Sequence, residues 1–396
     1  MRCVLITFIT PASENIRGTS ALPYHLLVNR DDKVLFTIYS FNANNLDDKK
    51  IEEVEKELNV KIIKLNLPKW YVWMFKLHLL FLRVFLKYPF VNYILLPGNI
   101  VNDIKAQNPD LIWVMGEELS RIVKQFPGSK RIQVGPDTES LYYYRMLEQR
   151  FVMKDALNYW KCALMYRKYA RMEQEFFTGR DFTYYAVGKE DVRHLQTLNP
   201  TVQASFLRHP HFDINKKKKK NQFSKPKIKV LIAGQYNHYM KQDADMLSEV
   251  LRKNGEDLKD LYSITYLGKG WEKHVGELVK KGYDVNHIKF AENYIKEIIK
   301  HDIQITPISI GTGTKGKVLD ALANGLLVIG TPFALENIAV EDGDSCIVYR
   351  HPKEVVDILL DISVHTGKYE EMAMRGQQKV LEYHNRAFIS SQLFND

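Results

Sequence analysis

Ile305-Thr-Pro-Ile-Ser-Ile-Gly-Thr-Gly-Thr-Lys-Gly-Lys-Val-Leu-Asp-Ala-Leu-Ala-Asn-Gly-Leu-Leu-Val-Ile-Gly330 reads as a strand, a glycine- and threonine-rich loop, a helix and a second strand. The first apolar strand ends at Pro307, the helix runs from about Lys315 to Ala323, and Asn324-Gly325 stops it before the next apolar run. Glycines at 311 and 313 let the backbone come close to a ligand. The N–H groups and positive dipole end of the helix that follows attract phosphate. Gly311, Thr312, Gly313 and Thr314 are therefore expected to hold a diphosphate, with Lys315 and Lys317 adding positive charge at the same helix end. Asp320, a turn further on, is expected to accept hydrogen bonds from sugar or ribose hydroxyls. The same loop pattern also serves simple tight packing.

Outward from this unit, short apolar runs alternate with helical patterns, the signature of parallel sheets covered by helices on both faces. Strands are expected at 4–9, 33–39, 61–65, 111–115, 131–134, 184–187 and 204–207, and in a second set at 227–233, 263–267, 287–290, 304–308, 327–330 and 345–349. Between the sets stands Asn215-Lys-Lys-Lys-Lys-Lys-Asn221, apolar-poor and charged, read as a solvated linker with nucleic-acid or lipid contact as the alternative. The expected division is an N-terminal α/β domain over 1–215, a C-terminal α/β domain over 216–380, and a tail helix over 381–396 returning to the first.

Length agrees: 396 residues, 45% of them hydrophobic, are too many for one comfortable core. Fifty-six lysines and arginines against 47 acids leave a charge of +9, which favours anionic partners such as nucleotides, acidic glycans, anionic lipid or nucleic acid. Cys3, Cys162 and Cys346 form no CxxC pair and read as buried small hydrophobes of a reducing compartment. The apolar segment 4–9 is too short for a signal-peptide core, and no run reaches the ~20 apolar residues of a spanning helix. The expectation is a cytoplasmic chain, soluble or peripheral on a membrane. His209 and His211 lack acidic or cysteine partners at metal spacing and read as linker residues, so no metal site is expected.

Two helical patterns of the first half stand out. Over 69–88, Lys69, Lys76, Arg83 and Lys87 recur on one expected helical stripe beside Trp70, Tyr71, Trp73, Phe75, Phe81 and Phe85. Such a helix either lies in the interface of an anionic membrane or packs on a core with its basic stripe in water. Over 140–177, tyrosines and Trp160 interleave with Arg145, Arg150, Lys161, Arg167, Lys168 and Arg171. This pattern suits an amphipathic core helix, with stacking of bases or sugars as the alternative.

The stretch from Gly311 to Gly325, together with Val328-Ile-Gly-Thr-Pro332, resembles the donor loop, helix and next strand of retaining glycosyltransferases of the two-domain GT-B type, group 1 or family 4. Glu341-Asp-Gly-Asp-Ser345 and the turn Leu267-Gly-Lys-Gly270 extend the resemblance over 227–390. It implies two Rossmann-like domains facing a cleft, with a nucleotide sugar bound by the C-terminal one and an acceptor held by the other. It also implies transfer of a hexose-like unit with retention, without an obligatory metal or other cofactor. Gly234, Lys241 and Gly268 join the expected donor contacts by the same resemblance, and Asp320 matches the acid that meets the donor ribose. The sequence departs from the family at Thr312, which stands in place of the motif's first acid, and at Gln235, where an arginine is usual.

In the first domain, the loop from Pro11 to Thr19 with Arg17-Gly18 resembles the family's glycine loop, which closes over donor phosphates. Val134-Gly-Pro-Asp-Thr-Glu-Ser140 resembles the segment that carries His-Asp in relatives, with Pro136 in the histidine's place. Asp137 and Glu139 remain as catalytic candidates, against capping of their own helix. Glu117 and Glu118 likewise read as helix caps. Val187-Gly-Lys-Glu-Asp191 keeps the family's strand-then-acid pattern, with Gly188 in place of serine. The expected partners are a nucleotide-sugar donor, a glycan or lipid-linked glycan acceptor as in cell-surface polysaccharide assembly, and an anionic membrane surface if the 69–88 helix lies on one. A non-catalytic nucleotide- or glycan-binding protein of the same fold is the rival. A nucleic-acid partner is not expected, because the charge lacks a recognisable reading module.

Overall fold

The computed structural model describes residues 1–13, 18–149, 153–215 and 223–394. Arg17 of the glycine loop, Arg150 and the lysine run at 216–220 lie outside the described residues. The chain divides into two compact units: residues 1–210 with the C-terminal helix Arg386–Phe394, and His211–Asn385. The division falls at Pro210, a few residues before the lysine run, and His209 and His211, read as linker residues, are buried on either side of it. Burial pushes the His209 imidazole down to about 4.

The first unit is built on a parallel sheet of β1 (Arg2–Thr7), β2 (Leu35–Ser40), β3 (Lys61–Lys64), β4 (Leu111–Met115), β5 (Arg131–Gly135), β6 (Phe182–Ala186) and β7 (Ala204–Phe206), ordered β3-β2-β1-β4-β5-β6-β7. β4 and β5 are buried along their whole length, which is why Leu-Ile-Trp-Val-Met shows no alternation. The polar Arg131 and Gln133 are tolerated inside because Arg131 Nε donates to the Ser129 carbonyl (2.9 Å) and Gln133 Nε2 to that of Gly116 (2.8 Å). Thr7 lies level with both Ser40 and Met115, so these strands finish on a common edge. The C-terminal helix closes one face of this sheet, with the Phe394 ring 5.1 Å from Phe36 and 5.6 Å from Trp113.

The second unit repeats the plan with β8 (Ile228–Ala233), β9 (Tyr262–Leu267), β10 (Asp284–Ile288), β11 (Ile303–Thr306), β12 (Leu327–Gly330) and β13 (Ile347–Val348), ordered β10-β9-β8-β11-β12-β13. All its pairings are parallel. In both sheets the order reverses at the first strand, the Rossmann arrangement, in which ligands bind beyond the carboxyl ends of the strands beside the reversal.

Two expected helices are corrected. The 69–88 stretch is not one helix: Lys69–Lys76 ends at Leu77, His78 turns left-handed (φ 54°), and Leu79–Phe85 continues as a tighter 3-10 turn. The basic residues therefore do not share one helical stripe. The 140–177 stretch is two helices, Glu139–Glu148 and Ala156–Gln174, packed on each other. Among the described residues no helix is long and apolar enough to cross a membrane. All three cysteines are buried and unbridged.

Candidate functional site

The loop from Pro307 to Lys315 leaves the end of β11 beside the reversal of the second sheet and enters the helix Gly316–Ala323. Neighbouring strand-end segments brace it. The Ser309 and Ile310 N–H groups donate to the Tyr239 carbonyl (2.8 and 3.3 Å). The Asp243 N–H donates to Ser309 Oγ (2.9 Å), and Thr331 Oγ1 donates to the Ile308 carbonyl (2.6 Å). Beyond these, Gly313 is left-handed (φ 62°), and Asn337 Nδ2 holds its carbonyl at 3.0 Å. A loop tied at these points is held in shape before a ligand arrives, which limits the ordering cost of binding.

The helix it feeds has Lys315 at its N-cap, whose side chain makes no capping hydrogen bond, so the first N–H groups and the positive dipole end of the helix face the loop. Lys315 Nζ bends back to the Thr312 carbonyl, occupying the space a Cβ on Gly311 would need. Lys317 sits over the Tyr294 ring (5.9 Å), and burial pulls its ammonium pKa down while Asp320 opposes that shift. A cation short of water gains more from a phosphate than an exposed one does. Asp320 is only 1% exposed, beneath this helix and beside Tyr294, whose hydroxyl is pushed up by burial and then by the Asp320 charge. In this position its charge supports the ammonium of Lys317.

The other expected donor contacts divide into frame and side chain. Gly234 (φ 135°) and Gly268 (φ 140°) end β8 and β9 back to back, and a Cβ on Gly268 would overlap the Gly234 carbonyl oxygen. That carbonyl also accepts from Trp271 Nε1 at 2.7 Å, so Gly268 is required by close backbone packing and Gly234 by its positive φ. Lys241 starts the helix Lys241–Lys253 and is bound to Asp245 (2.7 Å) and the Tyr236 hydroxyl (3.2 Å). A cavity of about 470 Å³ between this helix and Glu272–Val279 is lined by helix flanks, away from the strand ends.

At the matching edge of the first sheet lies an acid pocket of about 120 Å³, which brings Gly18 and Thr19 together with Glu117, Glu118, Pro136, Asp137 and Glu139. It is organised by the start of the helix Glu139–Glu148, whose N-cap, Thr138, makes no side-chain cap. Three carboxylates from other elements cap it instead. Asp191 accepts from the Thr138 N–H (2.7 Å), Glu117 from that of Glu139 (3.1 Å), and Glu173 from that of Ser140 (3.1 Å) and from its hydroxyl. Capping of their own helix by Asp137 and Glu139 is thereby replaced, and Glu117 caps a helix other than the one it precedes. Glu117 is 2% exposed, and among the described residues one of its oxygens, Oε2, has no hydrogen-bond partner. Burial, then the charges of Glu118 and Asp137, pushes the Glu139 carboxyl up to about 8. Glu173 is raised to about 8 by burial, and Glu117 and Glu118 are raised by the same cause. Carboxyls shifted into the neutral range can hold or take a proton at working pH. Among the described residues no group of three or more His, Cys, Asp or Glu is arranged to hold a metal ion.

Residues 242–394 match the family described as Glycosyl transferase-like. Solved structures show the likeness of fold over the whole chain. HepE from Anabaena, crystallised with UDP-glucose, aligns with a TM-score of 0.63 at 12% identity, covering 100% of this chain and 98% of that one. WaaG, a glycosyltransferase involved in lipopolysaccharide biosynthesis, aligns at 0.61 and 12% identity, covering 99% and 98%. The sucrose-phosphate synthase of Thermosynechococcus elongatus aligns at 0.66 and 10% identity, covering 100% and 97%. No curated protein matches the chain in sequence. The architecture, two parallel-sheet Rossmann-like domains, is that of GT-B glycosyltransferases.

Within that fold the sequence reading found the loop, its lysines and the 137–139 acids, but not what braces them. Tyr239, Ser309, Thr331 and Asn337 carry no local signature, since each matters only through the segment it reaches. Glu173 lies inside the long helix Ala156–Gln174 with nothing in its neighbourhood to mark it. The basic stripe expected over 69–88 also misses the role of Lys87, which ion-pairs with Glu175 at 2.9 Å.

Proposed function

We propose that this chain is a glycosyltransferase that takes a UDP-linked, hexose-like sugar on the loop Gly311–Lys315 and transfers it to a hydroxyl of a glycan or lipid-linked glycan. The observation that carries the reading is the braced loop entering, beside the desolvated Lys317, a helix whose N-cap residue Lys315 makes no side-chain cap. It falls in the stretch that matches the glycosyl transferase-like family, and the UDP-glucose bound by HepE favours uridine among the bases. When the glycosidic bond breaks, charge develops on the diphosphate. Lys315, Lys317 and the helix dipole stabilise it there, so that no metal is required. Asp320 positions Lys317. Glu139 and Asp137, in the acid pocket of the first unit, are the proposed contacts of the acceptor hydroxyl. Transfer with retention and a role in cell-surface polysaccharide assembly belong to the same proposal.

Thermal unfolding with UDP, GDP, ADP, CMP and their sugars tests it. UDP and a UDP-sugar should raise the melting temperature, and Lys317→Ala should weaken UDP binding about tenfold or more, the loss of one charge-assisted contact. Asp320→Asn should weaken it less. Stabilisation by no nucleotide, or by all of them equally in the Lys317→Ala variant, would remove the basis for the donor site.

A further inference from the structure

We infer that the first unit carries a membrane-docking face, formed jointly by the 69–85 segment and the N-terminal turns of the helix Ala156–Gln174, which seats on an anionic phospholipid bilayer at headgroup depth. From Leu58 to Asn102 no residue is acidic, while Lys61, Lys64, Lys69, Lys76, Arg83 and Lys87 are basic. Within this stretch the apolar side chains that a soluble fold would bury stand outside it: Trp73 is 63% exposed, Phe81 63% and Phe85 84%. Neither Lys69–Lys76 nor Leu79–Phe85 contributes a buried residue. The segment is nevertheless anchored, with Tyr71 stacked on Phe90 (4.9 Å) and set edge-on to Phe8 (6.0 Å). It is a held surface and not a loose loop.

The second half of the face comes from tertiary structure. Lys168 Nζ donates to the Arg83 carbonyl, and Glu175 binds Lys87 (2.9 Å) and the Tyr88 hydroxyl. These contacts fix the second half of the long helix to the 83–88 stretch, and the first turns of the same helix carry further exposed apolar side chains. There Leu157 is 87% exposed and Trp160 69%, next to the exposed Lys161. Asp155 is an exposed acid at this end. Exposed aromatic rings interleaved with lysine and arginine suit the interface of a bilayer, where rings enter the headgroup layer and ammonium groups meet lipid phosphate. A protein partner of ordinary polarity would not call for so one-sided a charge. This inference does not depend on the donor reading, which concerns the other unit.

The test uses the full chain and vesicles of phosphatidylcholine with and without phosphatidylglycerol. Co-sedimentation is expected only with the anionic vesicles, and brominated lipid should quench tryptophan emission, because Trp70, Trp73 and Trp160 are exposed while Trp113 and Trp271 are buried. Lys76→Gln with Arg83→Gln should weaken binding about twenty-five-fold, each basic residue near a charged bilayer being worth about a factor of five. Trp73→Ser with Phe85→Ser should weaken co-sedimentation and the quenching of the remaining Trp70 and Trp160 while leaving the helical circular dichroism intact. UDP stabilisation, measured in the same variants, should not change, so failure here and failure of the donor site are told apart. Absence of binding to anionic vesicles, equal binding by all variants, or self-association that Phe85→Ser removes without any vesicle binding would each overturn the inference.

Discussion

Glu139 and Glu173 are two carboxyls that folding makes harder to ionise. Each is raised from an ordinary 4.5 to about 8, chiefly by burial, so the folded chain holds protons that the unfolded chain releases between those values. Their contribution to stability is fully present below about pH 4.5 and is lost as pH rises towards about 8. The first unit is therefore expected to weaken from pH 5 to pH 8, and Glu173→Gln should flatten that slope, adding roughly 2 kcal/mol at pH 8 relative to wild type. Urea unfolding followed at Trp113 measures both, and a pH-independent wild-type transition would contradict the assigned burial effect. Gly268 is the opposite kind of residue, required for its lack of a side chain. With φ 140° and the Gly234 carbonyl where a Cβ would go, Gly268→Ala should cost roughly 2–4 kcal/mol, read from unfolding at Trp271. Loss of under about 0.5 kcal/mol would mean that the two turns separate easily.

Among the elements, the helix Arg386–Phe394 shows how far chain position and packing partner can part. It buries Ile389, Leu393 and Phe394 against the first sheet, although all of the second unit precedes it in sequence. Phe394→Ala should cost about 3–5 kcal/mol of the first unit's stability and leave the Trp271 transition where it was. A shift of the Trp271 transition instead would reassign the helix. The helix Gly316–Ala323 was legible from Gly311 onward because apolar spacing, the Asn324-Gly325 stop and the glycine loop all agree locally. The 69–88 region was not legible in the same way. Its composition suits one continuous amphipathic helix, but His78 adopts a left-handed turn and Leu79–Phe85 tightens, with Tyr71 and Phe90 stacked on each other. Local propensity is a weak prior there, and contacts that cannot be read from spacing decide the break.

At the scale of the whole chain, two sheets with the same strand order carry separate hydrophobic cores, and a ligand of one should stabilise that one first. In variants keeping only Trp113 or only Trp271, UDP at about a hundred times its dissociation constant should add about 2.7 kcal/mol to the Trp271 transition. Equal gains at both tryptophans would show that the two unfold as one. The sequence by itself determined the fold class, all thirteen described strands to within a few residues, and the loop with its lysines, because buried parallel strands and helix stops are written in contiguous residues. Tertiary structure decided the rest. The start of the helix Glu139–Glu148 draws Glu117, Glu173 and Asp191 from three other elements, and Asp320 is buried. Carboxyl protonation and side-chain exposure depend on which distant segments surround a group, and the spacing along a chain does not contain that information.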